Sequence, residues 1–130
     1  MAYDIEVEGK DLPTEAIIGA AIEVHRHLGP GLLESTYEQC LCWELRDAGL
    51  TFVRQTMIPI KYKGDSTAGV YRPDLVGEET VMIEVKAVDR LASVHEAQLL
   101  TYMRHTGIHS GLLLNFNCSR LRDGLKRLSL

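Results

Sequence analysis

The sequence has no apolar run near the ~20 residues that a bilayer-crossing helix needs. The longest, such as Gly111 to Leu114 and Ala16 to Ala21, are far shorter, so no membrane span is expected. The N-terminal Met1-Ala2-Tyr3-Asp4-Ile5-Glu6 lacks the basic segment and apolar stretch of a secretory signal, which points to the cytoplasm. Cysteine is scarce and poorly spaced for structural use. Of the three, Cys40 and Cys42 sit two apart and would face different ways on a helix, and Cys118 leaves an odd count with no CxxC pair. Reduced, buried thiols are therefore expected, not a disulfide framework. Positive charge is short too: 14 Lys and Arg stand against 18 Asp and Glu, a net charge of −4. This argues against a strong non-specific nucleic-acid binder, whose affinity comes mostly from neutralising phosphates with Lys and Arg. A local patch is still allowed. Arg120, Arg122, Lys126 and Arg127 make the last segment basic, either as such a patch or as a solvated terminal face.

Several familiar chemistries lack their motifs. There is no Gly-x-x-x-x-Gly-Lys-Ser/Thr loop or Gly-x-Gly-x-x-Gly run for nucleotides, and no Gly-x-Ser-x-Gly elbow for a serine hydrolase. His25 and His27, two apart, would diverge on a helix, which argues against a zinc site using both. His25 could line a cleft or serve as a hydrogen-bonded structural histidine. His95, His105 and His109 form no ligand pattern, and Cys40 has the apolar helical neighbours of an inert thiol.

A chain of 130 residues with 45% hydrophobic and 25% charged residues is sized and composed for one soluble domain with a real core. There is no internal repeat or long linker. Thr14 is placed to cap a helix whose apolar residues Ile17, Ala21, Val24 and Leu28 recur at helical spacing, and Leu28-Gly29-Pro30-Gly31 stops it. A second helix is predicted from about Leu33 to Ala48, with its stripe through Leu33, Tyr37, Cys40, Leu41 and Leu45 and Gly49 just beyond it. The pattern then becomes β-like. Strands are predicted over Phe52 to Gln55, Met57 to Tyr62 with Pro59 at an edge or bulge, Val70 to Val76, and Thr80 to Ala87. Lys63-Gly64-Asp65 reads as a turn, and Gly77-Glu78-Glu79 as the turn of an antiparallel hairpin. Ser93 with Glu96 three later predicts a capped third helix ending at Gly107. A buried strand follows over Ser110 to Phe116, and Leu121 to Leu130 reads equally as an edge strand or a loose helix. The element order implies a mixed sheet flanked by helices, an α/β or α+β fold.

In Val81-Met82-Ile83-Glu84-Val85-Lys86, alternation puts Glu84 and Lys86 on one face and Val81, Ile83 and Val85 on the other. A hairpin centred near Glu79 lays Asp74 directly across from Glu84. Two unit charges ~4 Å apart at an effective dielectric of ~20 repel by about 4 kcal/mol, so something positive should offset them. Lys86 is one candidate. A divalent cation is the other, and an all-oxygen site suits Mg²⁺ or Mn²⁺ over Zn²⁺. The competing reading of Glu84-x-Lys86 is a solvated ion pair on an exposed sheet. Glu34 shares a helix face with Tyr37 and Leu41, although an acid in a first helical turn also favours the macrodipole. Gln98 and Tyr102, one turn apart, place polar ends on a side expected to face the sheet, where they could also simply satisfy each other.

Pro73-Asp74 followed by Glu84-Val85-Lys86 resembles the PD-(D/E)xK nuclease signature, with Glu34 on a preceding helix and Gln98-x-x-x-Tyr102 on a following one as in RecB-like members. Gly31-Leu32-Leu33-Glu34-Ser35-Thr36-Tyr37 is similar to the motif that names the GxxExxY protein family. The resemblance runs from about Ile17 to Phe116, including Val24 to Gly31 and Lys86-Ala87-Val88, with no departure at the signature positions. It implies a restriction-endonuclease-like fold and a Mg²⁺- or Mn²⁺-dependent nuclease acting on DNA more than RNA. Asp74, Glu84 and the Val85 carbonyl would hold the metal, and Glu34 would join directly or through water. Lys86 would orient or help deprotonate the attacking water and stabilise the transition state, while the metal acts as Lewis acid on the phosphate. Gln98 and Tyr102 would steady Lys86 or contact phosphate.

The alternative is a catalytically silent nuclease-like module acting with a protein partner, favoured by the small size and acidic balance, which leave little surface to grip a duplex. A homodimer through the Pro59-containing edge or the terminal segment is a further expectation.

Overall fold

The computed structural model describes residues 2–130, with the side chains of residues 12–66 and 68–130. Helix α1 spans Ala2–Leu28 and α2 spans Glu34–Asp47. Strands β1 (Phe52–Arg54), β2 (Ile58–Pro59), β3 (Val70–Tyr71), β4 (Leu75–Gly77) and β5 (Val81–Lys86) follow. Helix α3 (Ser93–Thr106), β6 (Ser110–Asn115), a 3-10 turn (Leu121–Gly124) and β7 (Leu125–Ser129) complete the order. The main sheet runs β1-β4-β5-β6-β7, and β2 with β3 makes a separate two-stranded ribbon. All pairs are antiparallel except β5 with β6. A parallel pair needs a long crossover, and α3 supplies it.

Alternation along the two central strands sorts the core into two layers. Val81, Ile83 and Val85 of β5, with Leu112 and Leu114 of β6, pack against Ile17, Ala21 and Val24 of α1 and Tyr37, Leu41 and Leu45 of α2. Met82 and Leu113 point the other way, against Leu99 and Met103 of α3. The mixed sheet flanked by helices is thus the architecture expected. Gly29 and Gly31, at φ 67° and 102°, make the reversal between α1 and α2 that a Cβ would resist.

Several boundaries differ from the sequence reading. Thr14 is no N-cap: it lies buried inside α1, whose backbone continues past Pro13 to Ala2. Leu33 caps α2 and is 73% exposed, while Glu38 and Cys42 take its place on the buried stripe. Helix α3 begins one residue beyond Ala92, and its reciprocal cap uses His95, whose Nδ1 accepts the Ala92 N–H at 3.0 Å. Glu96 instead pairs with Lys126 across to β7 at 3.1 Å. The terminal stretch turns out to be both alternatives in succession, a 3-10 turn and then an edge strand.

The most consequential difference is at Val70 to Val76. It is not one strand: Arg72-Pro73-Asp74 separates β3, which pairs with β2, from β4, which pairs with β5. Proline cannot donate to a ladder, so pairing stops there. The expected strand over Met57 to Tyr62 shrinks to Ile58–Pro59.

Gly111 marks a close approach of α3 to the sheet. A Cβ there would lie 2.6 Å from Met103 Sδ and 3.2 Å from Leu99 Cδ2. Gly111→Ala should cost about 1–3 kcal/mol by overpacking, read as a lowered urea midpoint at unchanged slope. An unshifted midpoint would contradict this packing.

Candidate active site

The β4–β5 hairpin creates the site. Glu78 and Glu79 both take positive φ, 51° and 58°, and the Thr80 N–H closes the turn on the Gly77 carbonyl at 3.0 Å. The register pairs Leu75 with Ile83. One step further it brings Asp74 opposite Glu84, as the sequence predicts, and a second step brings Pro73 opposite Val85. The two acids are interlocked through backbone donors. Glu84 Oε1 accepts the Asp74 N–H at 3.0 Å, and Asp74 Oδ2 accepts the Val85 N–H at 2.8 Å.

That second bond fixes the direction of the Val85 peptide edge. N–H and C=O of one strand residue point to the same side, so the Val85 carbonyl also faces β4, where its in-register neighbour Pro73 has no N–H to offer. The flanking Lys86 carbonyl points the opposite way and accepts the Phe116 N–H at 2.9 Å. The Pro-Asp pair therefore ends the ladder, supplies a carboxylate and leaves a carbonyl oxygen directed beside it.

Both carboxylates are costly to ionise here. Burial pushes Glu84 up to about 7, with the facing Asp74 charge second and Lys86 partly compensating. Burial likewise raises Asp74 from its usual range, while the Val85 N–H and Lys86 pull it down. Lys86 is only half-buried at the end of β5, on the Glu84 face, and is felt by both acids. Glu34 arrives from the opposite layer. Its Oε2 accepts the Ala87 N–H at 3.1 Å, just past the end of β5, and its charge raises Asp74 further.

Tyr102 and Gln98 come from α3. They hydrogen-bond to each other, and Tyr102 feels the Glu84 charge, although burial is the main cause of its raised pKa. The Tyr102 ring stacks on Tyr71 at 4.0 Å, so the β2–β3 ribbon buttresses the site. Gln98 itself is exposed. The hairpin acids, Lys86, Glu34 and the Gln98–Tyr102 pair are thus linked around the ends of β4 and β5.

Glu38 was missed in the sequence. One turn beyond Glu34, it is buried, and its Oε2 binds Arg54 Nε at 3.0 Å, Arg54 Nη2 at 2.8 Å and Gln55 Nε2 at 3.3 Å. Its charge also raises Asp74 and Glu84. The signal was a lone acid on the Glu38, Cys42, Leu45 stripe of α2.

Of the remaining candidates, His25 is structural: it is buried, with Nε2 2.8 Å from the Cys118 carbonyl. His27 points outward to Glu23. All three cysteines are free, but Cys40 and Cys118 are only partly buried, contrary to the expectation.

Among the described residues, no three His, Cys, Asp or Glu side chains are gathered so as to hold a metal. Side chains alone would offer Asp74 and Glu84, and the Val85 carbonyl adds a third hard oxygen. That set fits Mg²⁺ or Mn²⁺, which keep several waters and take one or two carboxylates plus substrate oxygens. It does not fit a closed zinc cage. No helix of the described residues is long and apolar enough to cross a membrane.

Compared with known families, the chain matches the family model of the PD-(D/E)XK nuclease superfamily over residues 11–128. No curated protein and no solved structure gives a significant match.

The raised Glu84 gives a pH prediction. Its folded pKa of about 7 exceeds the ordinary 4.5, so the folded state binds the proton more tightly. The stability from this group is full below pH 4.5 and is lost as pH rises through 7. In chelator, Glu84→Gln should therefore become more stable than wild type toward pH 8, by at most about 3 kcal/mol. Denaturant unfolding at pH 5 and pH 8 tests this, and a gap that fails to widen in favour of the variant would refute it.

Proposed function

The chain belongs to the PD-(D/E)XK nuclease superfamily, and from that premise we propose that it is a metal-dependent phosphodiesterase, working as one domain on DNA in preference to RNA. The observation that carries this reading is the register of Asp74 against Glu84 at an end of the ladder that Pro73 leaves open, with Lys86 on the same face.

Asp74, Glu84 and the Val85 carbonyl would hold Mg²⁺ or Mn²⁺, which when bound supplies Lewis acidity toward a phosphoryl oxygen. The chain's own groups do the rest. The Lys86 ammonium orients the attacking water and stabilises the negative charge that grows on the phosphoryl oxygens. Glu34, whose carboxylate is engaged by the Ala87 N–H, acts from one position further out, through water. Gln98 and Tyr102, neutral donors that do not compete for a cation, hold Lys86 or the phosphate.

We also place the chain with the RecB-like members and the GxxExxY proteins. The arrangement of that motif supports this. The Tyr37 hydroxyl donates to the Gly29 carbonyl and accepts the Leu32 N–H, which ties down the Gly31–Leu33 loop and sets Glu34 at the end of β5.

A second reading, a silent nuclease-like module working beside a protein partner, is favoured by one observation. The described residues gather fewer than three acidic side chains at metal-binding spacing.

Incubation with single-stranded DNA, duplex DNA and RNA in Mg²⁺ or Mn²⁺ separates the two. The enzyme reading expects cleavage that Glu84→Ala and Lys86→Ala each reduce about 100-fold or more. An inert wild type that still binds Mn²⁺ by calorimetry favours the silent module, and variants that cut as well as wild type refute the assigned site.

A further inference from the structure

Among the described residues, three arginines come together in a cleft outside the site. The cleft, of about 590 Å³, opens between the C-terminal end of α1 and the segment after β6. Arg26, Arg120 and Arg122 line it, with His25 and Ser119, and no carboxylate is among its lining residues.

Two of the guanidiniums have acidic neighbours only as loose, exposed i,i+3 pairs. Arg26 lies 3.4 Å from Glu23, and Arg120 lies 3.8 Å from Asp123. Such pairs contribute ~0–1 kcal/mol and yield readily to a better anion. Arg122 has no acidic partner within 4.0 Å among the described residues.

The cleft is also held in shape. His25 Nε2 fastens the Cys118 carbonyl to α1 at 2.8 Å, and Cys118 Sγ bonds the carbonyls of Asn115 and Arg120 at 3.2 and 3.0 Å. Helix carbonyls at a C-terminus would repel an anion. Here the His25 carbonyl accepts the Gly29 N–H, and the Gly29 carbonyl accepts the Tyr37 hydroxyl.

Both walls are connected along the chain to elements of the proposed active site. Gly29 on one wall is five residues from Glu34, a span of at most about 19 Å at 3.8 Å per Cα step. On the other wall, Ser119 follows Phe116, whose N–H holds the Lys86 carbonyl.

We propose that this cleft is an anchoring site for the phosphodiester backbone of a nucleic-acid strand, gripping it outside the site where Lys86 acts. It rests on the nuclease reading for the identity of the polymer. At ~3.4 Å of rise per nucleotide, the Gly29-to-Glu34 span is at most about five or six nucleotides. The three arginines neutralise backbone charge without reading sequence, and the remaining acidic surface keeps the polymer off other faces.

The test measures binding of a fluorescent 24-nucleotide single-stranded DNA by anisotropy in EDTA, from 50 to 300 mM salt. The Arg26→Gln/Arg120→Gln/Arg122→Gln variant should lose at least tenfold in affinity at 50 mM. Its plot of log affinity against log salt should flatten by about 2, the loss of three single-strand phosphate contacts. The comparison variant, Lys126→Gln/Arg127→Gln, removes two cations held by Glu96 and Glu15 outside the cleft and should lose less than twofold. Circular dichroism confirms that each variant is folded.

Equal losses in both variants, an unchanged triple variant, or a wild type that does not bind would each overturn the proposal. Because the readout is binding without metal, arginine-dependent binding by a protein that cuts nothing would retain the cleft and reject the nuclease reading. Cleavage with arginine-independent binding would do the reverse.

Discussion

The interlock of Asp74 with Glu84 is the constraint on which the rest depends. Each carboxylate accepts a backbone N–H belonging to the other's neighbourhood, Asp74 from Val85 and Glu84 from Asp74 itself. This holds two buried acids face to face at the end of a ladder. Folding alone would not favour such an arrangement, since burial raises the proton affinity of both, the Asp74 charge adds to the rise at Glu84, and Glu38 and Glu34 add to it at Asp74. Lys86 and the N–H donors offset part of the cost. A hard divalent cation would offset more, and at that point the same repulsion becomes affinity for the metal.

The fold serves this geometry from three directions. Pro73 ends the β4 ladder, so Asp74 stands at its mouth and the Val85 carbonyl is left without a proline N–H opposite. Helix α2 presents Glu34 to the end of β5 and buries Glu38 behind it, with Arg54 and Gln55 fixing that second acid. Helix α3, which the parallel β5–β6 pair requires as a crossover, brings Gln98 and Tyr102 to the Glu84 side. Because the central strands are buried on both faces, their directions are fixed by packing on both sides.

Much of this was legible in the sequence, and the exceptions have physical reasons. A hairpin centred on Glu79 forces the Asp74–Glu84 pairing by arithmetic alone, and period-two alternation assigns Lys86 to the Glu84 face. The β6 strand was legible from its continuous apolar run, and β5 from its β-branched, alternating pattern. Local signals failed where tertiary structure overrode them. Ser93 and Glu96 make a plausible capping pair, but Glu96 is drawn to Lys126 and His95 caps instead. Thr14 resembles a cap, yet lies buried within a longer helix. Glu38 escaped notice because its partners, Arg54 and Gln55, are distant in the chain and join it only on folding. The terminal arginines could not be sorted by composition: Arg120 and Arg122 line a cleft with Arg26, whereas Lys126 and Arg127 are held by Glu96 and Glu15.

The most direct test of the central claim is a crystal soaked in Mn²⁺, with anomalous scattering recorded at the manganese edge. The account predicts one strong anomalous peak within coordination distance, roughly 2.0–2.4 Å, of oxygens from Asp74, Glu84 and the Val85 carbonyl. A map without a peak at the ends of β4 and β5, or with the ion held by other residues, would contradict it.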